Sequence, residues 1–265
     1  MTHPDQPAAQ RWREGRASYR PLGEVADVSR LSCEPLARDR DARAFVEAHH
    51  YSRSYPAARR RFGLLQDGLL CGVAVFSQPM HDAVFRDFSA PAADCLELGR
   101  FVLLDRIAAN AETWFLARCF KALRLEGFAG VVAMSDPVPR TDATGEVVFR
   151  GHYGCIYQAS NAHYMGRATG RALHLLPDGS VFSARAASKI RSREQGWRYA
   201  VGQLVEAGAQ APSQDQDLRA WLAVQLPLVT RRMKHGGNHR YGWALHKKAW
   251  AASAPKLAYP KGLET

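Results

Sequence analysis

Apolar residues recur along this chain at two spacings, and the switches between them mark out its elements. From Asp39 to His50, Ala42, Phe45, Val46 and His49 lie one helical turn apart, predicting a helix with one buried face. Phe62 to Gln66 and Leu69 to Phe76 flank Asp67-Gly68, a pair that favours a hairpin turn. Cys95 to Leu104 (CLELGRFVLL) reads as a strand. The helix expected next carries Phe115, Leu116, Cys119, Phe120 and Leu123 on one face. Asn110 is its expected cap, Glu112 sits in its first turn, and Gly127 ends it. Val131 to Met134 is then a short buried strand, stopped by Ser135-Asp136-Pro137. Strand, helix, strand predicts a βαβ unit with a right-handed crossover.

Downstream, Leu173 to Leu176, the turn Pro177-Asp178-Gly179 and Val181-Phe182 predict a second hairpin. Ser183 to Gly208 is expected to be helical with a break near Gly196, its apolar side formed by Ile190, Trp197, Val201, Leu204 and Val205. Ala209 to Asp217 reads as a surface loop, Leu218 to Val224 as a short helix, Arg231 to Arg240 as a basic turn, and Tyr241 to His246 as a terminal strand. Residues 1–30 are polar, with Trp12 and Tyr19 as isolated anchors. The organisation expected is an arm at 1–30, one domain at 31–246 with a helical insertion at about 183–225, and a tail at 247–265.

Composition adds a partner class. With 46% hydrophobic residues among 265, the chain is globular. Lys and Arg number 36 against 25 Asp and Glu, a net charge of +11, which suits a polyanion such as nucleic acid. Three segments concentrate the excess. Arg53, Arg59, Arg60 and Arg61 surround Tyr55 and Pro56 in what reads as a phosphate-gripping loop; Arg185, Lys189, Arg191, Arg193 and Arg198 load the long helical segment; the third is Arg231 to Arg240. The five cysteines are scattered and form no CxxC pair, so reduced thiols in a cytoplasmic protein are expected, with no metal site. No apolar run reaches 18 residues and MTHPDQPAAQRWREGR has no signal-peptide core, so no membrane role is expected.

Helix, hairpin, strand, helix, strand, helix and a final strand is the order of a Gcn5-related N-acyltransferase fold. The segments HHYSRSYPA, ELGRFVLLDRIAANAETWFL, SDPVPR, GHYGCIYQASNAHYMGR, LLPDGSV, KIRSREQGWRYA and GNHRYGWAL resemble the Mom family of phage DNA-modification proteins, over roughly residues 45 to 246. The resemblance implies an α/β fold, a central mixed sheet flanked by helices, with a basic helical insertion. It implies an enzyme that modifies the exocyclic N6 amine of adenine in double-stranded DNA, in the family's best-known case to a carbamoylmethyl adenine that blocks restriction. The donor implied is acyl-type, with acetyl-CoA and an aminoacyl species both open. Another acceptor amine, on a hypermodified pyrimidine, RNA or an aminoacyl group, and a non-catalytic DNA-binding module are the other readings the sequence leaves open.

An adenine amine is a poor nucleophile, so transfer to it needs a base, an activated donor and close positioning. Asp136, at the carboxyl edge where open α/β sheets hold ligands, is the candidate base or amine-orienting group; an Asx-turn cap is its other role. Ser135 suits a hydrogen bond to the donor carbonyl or to the base, or equally a turn cap. Tyr153 and Tyr157 share a face if Gly154 to Ser160 is helical, and suit protonating a leaving group or stacking on a flipped base; a core aromatic stripe is the alternative. The polar neighbours Gln158, Ser160 and Asn161 favour function for Tyr157, and Asn161 suits an adenine edge. The resemblance places His50 and Tyr51 by the site. Asn238 and Arg240 join Arg53, Arg59, Arg60, Lys189, Arg191 and Arg193 as expected DNA contacts. Arg100, Arg106 and Asn110 are the candidate donor contacts. The loop from Asp105 to Glu112, where the wider superfamily usually holds the CoA pyrophosphate on backbone N–H groups, contains no glycine, and Glu112 there would repel a phosphate.

Overall fold

The computed structural model describes residues 8–13, 16–21 and 23–261. A hairpin of β1 (Ala8–Arg13) and β2 (Arg16–Pro21) precedes β3 (Leu31–Pro35), α1 (Asp39–His49), β4 (Ala58–Gln66), β5 (Leu69–Ser77) and β6 (Cys95–Leu103). Then come α2 (Ala111–Leu125), β7 (Gly130–Ser135), β8 (Arg140–Thr141), β9 (Val147–Phe149), α3 (Cys155–Ala159), β10 (His163–Arg167), β11 (Arg171–Leu175) and β12 (Val181–Phe182). The last elements are α4 (Ala184–Ser192), α5 (Trp197–Glu206), α6 (Leu218–Val229), β13 (Arg231–His235) and β14 (His239–Ala244).

Seven strands form one mixed sheet in the order β10-β14-β7-β6-β5-β4-β3. Every neighbouring pair is antiparallel except β6 with β7, the parallel pair expected of the βαβ unit. The β4–β5 turn has positive φ at both Asp67 and Gly68, the geometry that Asp-Gly tolerates best. Phe115, Leu116, Cys119 and Leu123 of α2 are fully buried on one face of the sheet, against Leu96, Leu98, Val131 and Ala133. Each such side chain contributes about 1.5–3 kcal/mol by leaving water. Ala42 and Val46 of α1 cover Val73, Val75 and Val102 on the other.

The insertion is a second packing unit. β12-β11-β13 form a three-stranded sheet, and α4, α5 and α6 close on their own core of Ile190, Leu204, Trp221 and Leu222. The break falls where expected, with Arg193 and Gly196 both at positive φ between α4 and α5. Apolar spacing carries α6 to Val229, beyond the expected Val224.

Several expectations need correction. Arg59, Arg60 and Arg61 stand in β4, not in a loop, because the strand begins at Ala58. Arg59 donates to the Cys95 and Ala93 carbonyls, Arg60 pairs with Glu126, and Arg61 pairs with Asp39. The basic turn at 231–240 is largely strand, with only 236–238 turning between β13 and β14. β14 lies inside the sheet between β10 and β7. The tail is docked: Trp250 stacks on Phe88 at 4.8 Å and on His163 at 4.4 Å, and the Tyr259 hydroxyl donates to Ala162 O at 2.7 Å. The arm is a hairpin against the β6–α2 loop, with Tyr19 exposed and the Trp12 side chain outside the described residues.

Gly237 fixes the turn into β14. Its φ is +100°, and a Cβ there would stand 1.9 Å from Ala168 O. Gly237→Ala should therefore lower stability by at least about 2 kcal/mol, read as a falling midpoint of denaturant unfolding. A midpoint within error of wild type would mean that this turn relaxes freely.

Candidate active site between the diverging strands β6 and β7

A bulge opens the site. Val75 pairs with Arg100 and Phe76 with Leu98, so Gly99 is the extra residue in β6. Beyond it β6 no longer follows β7, whose parallel pairing ends at Leu98↔Ala133. The diverging strands leave a cavity of about 400 Å³. Leu98, Phe101, Met134 and Ile156 give it apolar walls; His50, Tyr51, His152, Tyr153, Tyr157 and Glu112 give it polar ones. Such a cavity, mostly apolar with a few converging polar groups, is the usual form of a small-molecule site.

Of the candidates read from sequence, the fold brings His50, Tyr51, Tyr153 and Tyr157 together here. His50 ends α1, and its Nδ1 accepts the Ser52 backbone N–H at 3.1 Å, which leaves the proton of the neutral ring on Nε2. Burial holds its pKa well below the ordinary histidine value, helped by Arg100 and His152. Its ring stacks on Tyr51 at 4.3 Å, and Tyr51 lies against Phe149 at 4.8 Å. The Tyr51 hydroxyl is 3.5 Å from His152 Nε2. Burial and then the Asp136 charge push the Tyr51 phenol up to about 12. Tyr157 is 9% exposed and packs on Tyr241 and Trp243; burial raises its phenol as well. Tyr153 precedes α3 rather than sharing its face with Tyr157, because Gly154, at φ +81°, caps a helix that starts only at Cys155. The Cys155 contact, more than burial, pushes the Tyr153 phenol up to about 12.

His152 was not singled out from sequence, although it stands in the GHYGC segment. It lines the cavity, and its backbone N–H donates to Asp136 O at 2.7 Å. Burial lowers its pKa to about 4, against the opposing Asp136 charge. Both imidazoles are thus uncharged at neutral pH, the His50 lone pair being already engaged by the Ser52 N–H. The only sequence signal was a histidine between two glycines, which marks tight backbone but names no role.

Asp136 stands behind the cavity, outside its lining. Its Oδ2 accepts from Arg140 at 2.7 Å and its Oδ1 from His235 Nε2 at 2.9 Å, and the Val138 N–H donates to Oδ1 at 3.1 Å, so the Asx-turn role is realised. His235 Nδ1 accepts the Gly237 N–H, which fixes the tautomer that donates to Asp136. Burial would raise the Asp136 pKa, but His235 and Arg140 outweigh it and hold the carboxylate at about 2. Arg140 also lies over the Phe149 ring at 3.9 Å. Asp136 therefore braces β7, β8 and β13 and sends its charge toward Tyr51 and His152. Ser135 is fully buried, and its Oγ has no hydrogen-bond partner among the described residues.

The remaining candidates scatter. Asn161 is exposed at φ +58° in the turn after α3. Arg100 anchors the loop after α1 through Ser54 O and Oγ, both at 2.7 Å. Arg106 is exposed and donates to Gln66. Asn110 makes no side-chain cap; its Oδ1 accepts from Ala26 N at 2.8 Å. Arg53 is exposed, with a left-handed backbone at φ +44°. Arg240 is 6% exposed and paired with Asp87 at 2.6 Å, which takes it off any polymer-facing surface, and Asn238 accepts from Arg171. On the insertion, Arg191 and Arg193 are exposed, Lys189 is half-buried, and Arg219 Nε donates to Arg191 O at 3.2 Å. No helix among the described residues is long and apolar enough to cross a membrane.

No curated protein matches the chain. Among solved structures it is similar to an N-acetyltransferase from Staphylococcus aureus Mu50, at 11% identity and a TM-score of 0.31 over 71% of this chain and 68% of that one. It is also similar to a tandem GNAT protein from the clavulanic acid biosynthesis pathway, at 12% identity and a TM-score of 0.36 over 65% and 64%. The Mom protein family model matches residues 34–261, so the chain belongs to the Mom family.

Proposed function

We propose that this chain is an acyltransferase-like enzyme that adds a carbamoylmethyl-type group to the N6 amine of adenine in double-stranded DNA, and so protects that DNA from restriction. The observation that carries the reading is the cavity at the β6–β7 divergence, in which two uncharged imidazoles and three phenols face a space sized for a donor group. Transfer forms one bond from N6 to the donor carbon and breaks that carbon's bond to its leaving group, and one proton passes from N6 to the departing group. His152 is the residue proposed to take that proton. Asp136, whose charge faces the ring, stabilises the imidazolium while it lasts. Tyr157 is proposed to hydrogen-bond the leaving atom. A duplex adenine reaches such a pocket only when flipped out, and it would meet the aromatic wall that Tyr51 forms with His50 and Phe149.

The insertion is the proposed DNA grip, with Arg191, Arg193, Arg219 and Arg232 on its surface. Nucleoside mass spectrometry of DNA from cells expressing the chain should find a mass addition on deoxyadenosine. Binding to duplex DNA should weaken with salt by roughly 0.9 in logarithmic slope for each phosphate contacted. Unmodified deoxyadenosine alongside a changed pyrimidine or RNA nucleoside would move the acceptor, and a flat salt profile would remove the DNA.

A further inference from the structure

The α2 end of the cavity is closed by the amino-terminal arm, whose polar groups constrain what a donor can bring there. In the Gcn5-related fold this is where backbone N–H groups usually receive the CoA pyrophosphate. Here the Ala109 N–H donates to Glu24 Oε2 at 2.8 Å, and Arg20 clasps the same carboxylate. Leu104 and Ala108 turn carbonyl oxygens inward, each accepting from Arg11 at 2.9 Å. Below them Glu112, 2% exposed in the first turn of α2, takes the Arg11 Nε–H on Oε1. Its Oε2 is buried with no hydrogen-bond partner among the described residues. Gln10, Arg11 and Glu112 all line the cavity. The Ala109 N–H that a diphosphate would use is thus already taken by Glu24, and beside it stand the Leu104 and Ala108 carbonyls and the buried Glu112 carboxylate, all of which are acceptors.

We infer that this end of the cavity is a subsite for an N–H-bearing end group of a small donor, an amide or an amine held by Glu112 Oε2, and that it does not take the diphosphate of a CoA-type carrier, whose place the arm's Glu24 fills. The inference rests on the donor reading of the cavity given above. An unpartnered buried carboxylate oxygen is costly, and a donated N–H removes that cost.

Cys155 reports on occupancy, being the exposed free thiol in the cavity lining. Its labelling by N-ethylmaleimide, followed on the full chain by intact mass, should slow about tenfold with glycinamide at ten times its Kd, and should not change with acetyl-CoA at equal concentration. Glu112→Gln, which keeps shape and a partner for Arg11, should abolish the glycinamide effect. Glu24→Ala, on the half-exposed arm, leaves the buried pair intact. It should let inorganic pyrophosphate bind in a calorimetric titration that shows no heat with wild type. Slowing by acetyl-CoA in wild type, pyrophosphate heat in wild type, or unchanged glycinamide protection in folded Glu112→Gln each overturns the inference. Protection by neither ligand while deoxyadenosine is still modified overturns the subsite alone; the loss of both overturns the proposed function as well.

Discussion

His152→Ala is expected to reduce adenine modification by about 10²–10⁴-fold, the range of a positioned general base, while leaving DNA affinity unchanged. Truncation removes the cavity's proton acceptor but keeps the stacked wall of His50, Tyr51 and Phe149. The ring also gives the stability a pH signature. Its folded pKa, about 4, lies below the ordinary value of 6.5. The unfolded chain therefore protonates first as pH falls. The stability held by the neutral ring is complete above about pH 6.5 and is lost as pH falls toward about 4, in all roughly 3 kcal/mol. His152→Ala should flatten that slope across pH 6.5 to 4 in denaturant unfolding, leaving the share of His50, whose pKa burial also lowers. A variant that retains wild-type modification would remove His152 from the proton path and leave His50 as the remaining neutral imidazole of the cavity.

Asp136→Ala should cost about 3–5 kcal/mol of stability, because it strands Arg140 and His235 with side chains only 9% and 0% exposed. Thermal unfolding measures it. Activity is expected to vanish in this variant too, through collapse of the wall that holds Tyr51 and His152. Asp136→Asn separates brace from charge: it keeps the Asx turn and an acceptor for His235, so it should recover part of the stability while modification stays low. The folded Asp136 pKa, about 2, is below its ordinary 3.8. Its contribution is present above about pH 4 and is lost as pH falls toward 2. A stable Asp136→Ala protein, inactive yet with wild-type unfolding, would return Asp136 to direct catalysis.

Local pattern made the order of elements legible. Apolar period and turn chemistry act between near neighbours, so α1, the Asp67-Gly68 hairpin, α2, β7 and the break near Gly196 could all be read from the chain. The buried face of α2 was legible residue by residue, from Phe115 to Leu123. His50, Tyr51, Tyr153 and Tyr157, which the fold gathers in one cavity, could be picked out because aromatic and histidine residues gather in short segments that resemble a family. The clustering of basic charge was legible too, but not its availability. Whether an arginine faces a polymer or a carboxylate depends on what lies across from it, and Arg59, Arg60 and Arg240 found carbonyls, Glu126 and Asp87.

Only the tertiary structure decided the roles at the strand end. Asp136 ends its strand as the sequence required, yet its partners come from four and ninety-nine residues away, and that distant pairing makes the candidate base a brace between strands as well. The Gly99 bulge, the divergence it allows, and the arm's Arg11 on Glu112 are likewise contacts of high sequence separation, for which no local period exists. Sequence by itself determined which elements form and which chemistry they carry, because propensity and spacing are local. Which groups share a cavity, and which are neutralised before any ligand arrives, was decided by packing.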